Sequence, residues 1–279
     1  MTALLAAIAL AIGGGSAHEV LPTVAAAQGP VAKLVAAVAR PAPYGGRAEV
    51  TLGRSADGRP ITATAVNGVG TMTSGGDDRA GGPVTLVFGC IHGDECAGIR
   101  AAEHAWGECP PYGGGLVVVD NLNPDGYALG TRLNGDGVDL NRNFGYDWRP
   151  IGVPGDPEHS GPAPFSEPET RIARRLIRAL HPDITIWFHQ QAEPLVRAWG
   201  PSIPVARTYA HLAGDQFVRM PWMDGTAPNW QNHAFPGTAS FVVELPSSGP
   251  VHADHHGRAI FNLAGALMGV RGLRDAVVR

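Results

Sequence analysis

The chain has 279 residues, of which 44% are hydrophobic and 16% charged, which is enough to bury a sizeable core as one α/β domain. Its 21 basic and 25 acidic residues give a net charge of −4, so the bulk charge argues against a nucleic-acid-binding protein. We find no internal repeat and no sign of a second domain.

The amino-terminal residues have the pattern of a secretory signal peptide. Residues 3–12 form an apolar stretch that is too short for a membrane span of about 20 residues, and small residues follow through Ala17. The positively charged segment that normally begins a signal peptide is missing, because Met1 and Thr2 lead directly into the apolar stretch. We predict a signal-peptide region over residues 1–27, a secreted or cell-envelope location, and no stable membrane span. The alternative is an ordinary buried amino-terminal helix.

The next segment, residues 28–48, is predicted to be a leader helix and a linker. Apolar residues recur with helical spacing over residues 29–40, and Pro41 and Pro43 end that pattern. We assign residues 49–279 to the main domain.

Within the main domain, strand-like and helix-like segments alternate. Short runs that are β-branched, apolar or aromatic predict buried strands, namely Val84–Phe88, 116–119, 184–188 and 240–243. Helical spacing predicts helices over residues 97–105, Pro168–Leu180, 205–212 and 257–273, the second opened by a capping box from Ser166 to Glu169. This alternation predicts an α/β fold with a mixed, largely parallel central sheet flanked by helices on both faces. Residues 145–165, rich in Gly and Pro, are expected to form a surface loop that borders a cleft.

Chemically capable side chains follow three of these runs. The motif His92-Gly93-Asp94-Glu95 comes after the first, His189 after the third and Glu244 after the fourth. Ligands collect at the carboxyl ends of strands in open α/β sheets, so these side chains are expected to converge. Two imidazoles and one carboxylate suit a single catalytic zinc ion with one position open for water. Glu244 is the predicted general base, which passes the proton of that water to a leaving amine.

Further motifs point to a known family. They include Asn123-Pro124-Asp125-Gly126, the run Gly137-Val138-Asp139-Leu140-Asn141-Arg142-Asn143-Phe144, and an opening Gly-Arg-Ser with Gly-Arg-Pro-Ile over residues 53–61. Together with the zinc motif, they resemble the zinc carboxypeptidase family over residues 51–249. The resemblance implies that residues 49–279 form a zinc peptidase catalytic domain.

The resemblance also implies roles for individual residues. One zinc ion would be held by His92, Glu95 and His189, and Glu244 would be the catalytic glutamate. Asn141 and Arg142 match the pair that holds a terminal carboxylate, a task that suits a planar guanidinium. Arg132 is the best match for the arginine that stabilises an oxyanion.

The sequence departs from the pancreatic members of that family. They carry a mobile tyrosine shortly before the catalytic glutamate, but here no tyrosine lies between Tyr209 and Glu244. Trp222, Trp230, Asn232 and His233 lie in that stretch instead, so the tyrosine's role is unassigned. The short segments between motifs resemble a bacterial subgroup that contains murein tripeptide amidases and γ-D-glutamyl-diaminopimelate peptidases.

We therefore expect a zinc-dependent hydrolase that cleaves an amide bond next to a residue with a free carboxylate, in a peptide or muropeptide of the cell wall. Three alternatives remain open at this point. The chain could be an N-acyl amino-acid deacylase, a general secreted carboxypeptidase, or a zinc-containing binding protein without turnover.

The cysteines, Asp125 and the other histidines are not assigned to catalysis. Cys90 is expected to be a small buried hydrophobe, and Cys96 to form a disulfide with Cys109, the alternative being that Cys96 is a metal ligand. Asp125 is interpreted as a turn residue. Histidines are interpreted as solvated, except that His233 is expected to line the cleft; the solvated ones are His252, His255 and His256.

Overall fold

The computed structural model describes residues 29–39, 47–67, 83–107, 115–191, 193–221, 223–248 and 250–269. The predicted signal-peptide region, most of the linker, Cys109 and Trp222 lie outside these residues. None of the described helices has both the length and the apolar character that a membrane span requires.

Strands and helices alternate along the described part of the chain. The strands are β1 (Arg47–Arg54), β2 (Pro60–Asn67), β3 (Val84–Phe88), β4 (Gly115–Val119), β5 (Ile184–Gln191), β6 (Leu195–Ala198), β7 (Gln216–Arg219) and β8 (Ala239–Pro246). The helices are α1 (Pro30–Ala39), α2 (Gly98–Gly107), α3 (Pro124–Leu129), α4 (Pro168–Leu180), α5 (Ile203–Ala213), α6 (Ala227–Ala234) and α7 (Ala253–Gly269).

The strands form one mixed sheet in the order β1-β2-β4-β3-β5-β8-β6-β7. The four pairings β3/β4, β3/β5, β5/β8 and β6/β7 are parallel, and the other three are antiparallel. Strand β4 is buried along its whole length, as a strand covered on both faces should be. The predicted mixed, largely parallel sheet is therefore confirmed.

Helices cover both faces of the sheet, as predicted. Phe188 of β5 lies edge-on against His256 of α7. Thr185 of the same strand accepts a hydrogen bond from Gln231 of α6. Side chains at positions 185 and 188 point to opposite faces because successive residues of a strand alternate. The two helices therefore lie on opposite sides of β5.

The predicted helices are present, with differences at their ends. Helix α4 has the predicted bounds, but its N-cap is Glu167 and no side chain caps it. The predicted capping box is therefore wrong, because the hydroxyl of Ser166 donates to the carboxylate of Glu167 instead. Helix α7 begins at Ala253, so His255 and His256 belong to a helix and not to a loop.

Two site residues lie inside strands and not beyond them. His189 and Glu244 are paired with each other across β5 and β8, and this register continues to Gln191 and Pro246. The apolar runs end earlier than the strands, because the backbone ladder continues through polar side chains at the carboxyl edge. Both side chains nevertheless lie at that edge, where ligands of open α/β sheets collect.

Candidate active site

Three side chains present their metal-binding atoms to one point. Nδ1 of His92 lies 2.9 Å from Oε2 of Glu95 and 3.1 Å from Nδ1 of His189. Nδ1 of His189 lies 3.0 Å from Oε2 of Glu95. Ligands bound 2.0–2.1 Å from a tetrahedral zinc ion lie about 3.3 Å apart. The donor set therefore fits a zinc ion in both chemistry and spacing.

The turn that carries His92 and Glu95 is fixed by close backbone packing. The amide of Glu95 donates to the carbonyl of His92, which makes the turn compact. A Cβ on Gly93 would lie only 1.9 Å from the carbonyl carbon of Gly126 in α3. Glycine is therefore required at position 93, and the Asn-Pro-Asp-Gly motif forms the surface on which the zinc motif rests.

Asp139 holds the opposite side of the His92 ring. Its Oδ1 lies 3.1 Å from Nε2 of His92 and accepts a hydrogen bond from the amide of Asn141. A carboxylate in this position fixes the orientation of a metal-binding imidazole and leaves Nδ1 for the metal. Asp139 lies in the motif of residues 137–144 but was assigned no role; its place two residues before Asn141 was the available signal.

Neighbouring charges and hydrogen bonds keep the carboxylates of Glu95 and Asp139 ionised. Burial alone would raise the pKa of Glu95, but hydrogen bonds with His189 and His92 hold that pKa far below its usual range. Burial likewise opposes ionisation of Asp139, whereas the charges of His92, Arg132 and Arg142 lower its pKa strongly. The carboxylate of Glu95 is therefore available as a metal ligand at neutral pH.

Arg132 bridges the donor set and Asp139. Its Nη1 donates to Oε1 of Glu95 at 2.8 Å, and its Nε donates to Oδ2 of Asp139 at 3.0 Å. These two ion pairs fix the guanidinium at the rim of the donor set. The predicted proximity of Arg132 to the zinc ligands is present in the structure.

Asn141 and Arg142 form a short 3-10 turn beside the donor set. Oδ1 of Asn141 accepts the amide of Ala227 at the start of α6. Nη2 of Arg142 lies 2.5 Å from the carboxylate of Glu158, whose side chain is 59% exposed. The loop of residues 145–165 therefore borders the site, as predicted. Glu158 was missed by the sequence analysis, since nothing in the loop composition marks it.

The three donors, Arg132, Asn141 and Arg142 open onto one cavity of about 280 Å³. Glu244 lies in its wall with Oε1 3.6 Å from Nε of Arg197. The structure thus brings together every predicted site residue: His92, Glu95, Arg132, Asn141, Arg142, His189 and Glu244. Arg197 lines the cavity too, and no motif in the sequence pointed to it.

Two rings from the stretch before Glu244 lie away from the cavity. Trp230 packs among Phe144, Phe165 and Phe235, which makes it part of the core. His233 stacks on Tyr146 with ring centroids 3.6 Å apart and does not line the cavity, so that expectation is wrong. The walls are instead completed by Trp199, Met220, Met223, Thr226 and Pro228.

The cysteine pairing differs from the expectation. The structure joins Cys90 to Cys96 in a disulfide that spans the turn with His92 and Glu95. The expected bond between Cys96 and Cys109 is therefore wrong, and Cys96 is not a metal ligand. The apolar run around Cys90 concealed the fact that the turn brings two cysteines together.

Comparisons with known proteins agree with this geometry. A family model described as zinc carboxypeptidase matches residues 116–237, a stretch that contains Asn141, Arg142 and His189. Murein peptide amidase A of Escherichia coli K12 is 35% identical over 115 residues, which cover 37% of this chain and 48% of that protein. The matched part thus spans about half the length of this curated relative.

Two further proteins extend the similarity over more of the chain. The crystal structure of the murein-tripeptide amidase of Escherichia coli O157 has a TM-score of 0.57 at 22% identity, covering 83% of this chain and 94% of that one, which shows a shared fold. Murein peptide amidase A of Vibrio campbellii is 30% identical over 187 residues, which cover 61% of this chain and 71% of that protein. With this coverage and the matching family model, the chain belongs to the zinc carboxypeptidase family.

Proposed function

We propose that the chain is a zinc-dependent hydrolase that cleaves the amide bond next to a residue with a free carboxylate, and that its substrates are cell-wall peptides. One observation carries the proposal: the metal-binding side chains, Glu244 and the pair Asn141–Arg142 line a single cavity. The names of the murein peptide amidases to which the chain is similar support the choice of substrate.

His92, Glu95 and His189 would hold the zinc ion, in agreement with their donor atoms and spacing. When bound there, zinc supplies Lewis-acid polarisation and makes water a better nucleophile at neutral pH. Asp139 keeps His92 in the orientation that this role needs, by its contact with Nε2.

The other side chains bind the substrate and move its protons. Arg142 and Asn141 bind the terminal carboxylate, and Glu158 orients the guanidinium of Arg142 from the solvent side. Glu244 takes the proton of the attacking water and delivers it to the leaving amine. Arg132, fixed by Glu95 and Asp139, faces the negative charge that develops on the carbonyl oxygen.

Mass spectrometry of the products tests the proposal. Zinc-loaded protein is incubated with the tripeptide L-Ala-γ-D-Glu-diaminopimelate and, in parallel, with ordinary peptides that have free carboxyl ends. Release of diaminopimelate from the tripeptide alone supports a cell-wall amidase. Trimming of the ordinary peptides instead indicates a general carboxypeptidase, and cleavage of neither rejects the proposed hydrolysis.

The proposal includes a location outside the cytoplasm, since cell-wall peptides are found there. The apolar stretch and small residues near the amino terminus support export. Amino-terminal sequencing of protein recovered from the medium or envelope tests it. An intact amino terminus in protein confined to the cytoplasm would contradict it.

A further inference from the structure

The cavity contains a third arginine that the proposed reaction does not use. Arg197 lies on β6, where it pairs with Val242 of β8, while Leu195 pairs with Glu244. Because side chains alternate along a strand, Arg197 and Glu244 share one face of the sheet. The two positions differ by two residues along β8, or about 7 Å. Arg197 therefore lies farther from the carboxyl edge of the sheet than the catalytic glutamate.

Apolar residues lie next to Arg197. It pairs with Val242 across β6 and β8, and Trp199, Met220 and Pro228 line the same cavity. The Arg197 side chain is 22% exposed, so its charge lies in a largely desolvated place. A cation in such a place attracts an anion more strongly than one on the open surface. An apolar terminal side chain would not need this charge.

The contact with Glu244 is compatible with a second anionic partner. Nε of Arg197 lies 3.6 Å from Oε1 of Glu244, and a planar guanidinium presents N–H donors on more than one edge. Arg197 also lines the cavity that contains Asn141 and Arg142, the pair proposed to bind the first carboxylate. The same cavity contains Glu244.

We propose that Arg197 forms a subsite for a second carboxylate, carried by the side chain of the residue that the reaction releases. This inference rests on the proposed function, in which Arg142 binds the first carboxylate of that residue. Diaminopimelate has such a second carboxylate, whereas lysine is the same molecule without it. The two residues therefore form a matched pair that differs only in the group Arg197 would bind.

The test compares two tripeptides, L-Ala-γ-D-Glu-diaminopimelate and L-Ala-γ-D-Glu-L-lysine, by kcat/KM with zinc-loaded protein. The wild type should prefer the diaminopimelate peptide by about 10- to 100-fold, the range for a hydrogen bond to a charged group. Arg197→Met should reduce this ratio to near one, and Arg197→Lys should restore part of it. Arg258→Met, on the exposed side of α7, is the matched control and should keep the wild-type ratio.

Two outcomes would overturn the subsite. One is a wild-type ratio near one. The other is a ratio that Arg197→Met leaves unchanged while both rates fall together, since Arg197 would then act only by positioning Glu244. Thermal unfolding of each variant verifies that it is folded.

Failure of the proposed function would be distinguishable. If the wild type cleaves neither tripeptide, equilibrium binding of free diaminopimelate and free lysine is measured by calorimetry. Tighter binding of diaminopimelate that Arg197→Met abolishes supports the subsite without turnover. Equal binding of the two amino acids by the wild type rejects it.

Discussion

Asp125 and Asp139 are both completely buried carboxylates, and both accept several hydrogen bonds, but they belong to different parts of the molecule. Asp125 accepts bonds from Ser55, from the amide of Asp57 and from Arg59, all in or near the hairpin of β1 and β2. Asp139 contacts His92 and accepts bonds from Arg132 and the amide of Asn141, all of which line the cavity.

The comparison separates a structural carboxylate from a functional one. Burial and hydrogen bonding are alike at the two residues, and in each the partners lower a pKa that burial would raise. The two residues differ in the location of their partners. Those of Asp125 tie a hairpin to α3, and those of Asp139 are residues proposed to bind the metal and the substrate. The structural role predicted for Asp125 agrees with these contacts, but the residue lies in helix α3 and is not the turn-former that was expected. Substitutions at the two sites should therefore affect stability at Asp125 and metal binding or catalysis at the cavity.

The largest effect is expected at the cavity itself. Glu244→Gln removes the proposed base but keeps the size of the side chain, so kcat should fall by about 10²- to 10⁴-fold. The zinc content, measured by atomic emission, should equal that of the wild type, because Glu244 is not among the three donors. Unchanged turnover would make another residue the base.

Removal of the Asp125 carboxylate should lower stability and leave zinc affinity unchanged. Asp125→Ala leaves the Ser55 hydroxyl and the Asp57 amide without their acceptor, so the free energy of unfolding should fall by roughly 2–4 kcal/mol. Urea denaturation measures this loss. Zinc affinity, measured by competition with a chelator, should stay within about twofold; a large drop would mean that the two clusters are not separable.

Asp139→Asn is the matched change on the cavity side. The amide keeps the shape of the side chain but loses the charge that orients His92, so zinc affinity should fall by about 10- to 100-fold. The same competition with a chelator measures it. If affinity is unchanged while stability falls as in the Asp125 variant, Asp139 is structural as well.

The smallest effect is a difference in acid stability. The pKa of Asp125 is lowered on folding from its usual value of 3.8, so its contribution is present above about pH 4 and is lost as the pH falls through the folded-state value. Between pH 5 and 3, the wild type should therefore lose more stability than Asp125→Asn. Urea denaturation across this range measures both slopes, and parallel slopes would contradict the assignment.

Much of the site could be predicted from motifs, and the missing parts have physical reasons. His92, Glu95, His189 and Glu244 were identifiable because each follows an apolar run and the sheet brings such positions together. Arg197 was not, since its place depends on the antiparallel register between β6 and β8. Strand order is a property of the folded sheet, and residue patterns along one chain do not reveal it.

The wrong predictions concern short segments, and each came from a local residue pattern that tertiary or backbone contacts override. The disulfide was assigned by spacing, whereas the turn between Cys90 and Cys96 determines which thiols meet. The capping box before α4 was assigned by a pattern of residue types, but the Ser166 hydroxyl donates to the carboxylate of Glu167 and not to the helix backbone. Strand bounds at His189 and Glu244 extended beyond the hydrophobic pattern because backbone pairing does not require apolar side chains.

The contact between Gly93 and Gly126 has a consequence for protein engineering. The turn with His92 and Glu95 is closed by its own disulfide and backbone hydrogen bond, but at Gly93 it also rests on the bare backbone of a helix about thirty residues later. A zinc site grafted from this fold onto another scaffold must therefore include α3 together with the turn. A graft of the four-residue motif alone would leave the two ligands of that turn without a fixed separation from the imidazole on β5.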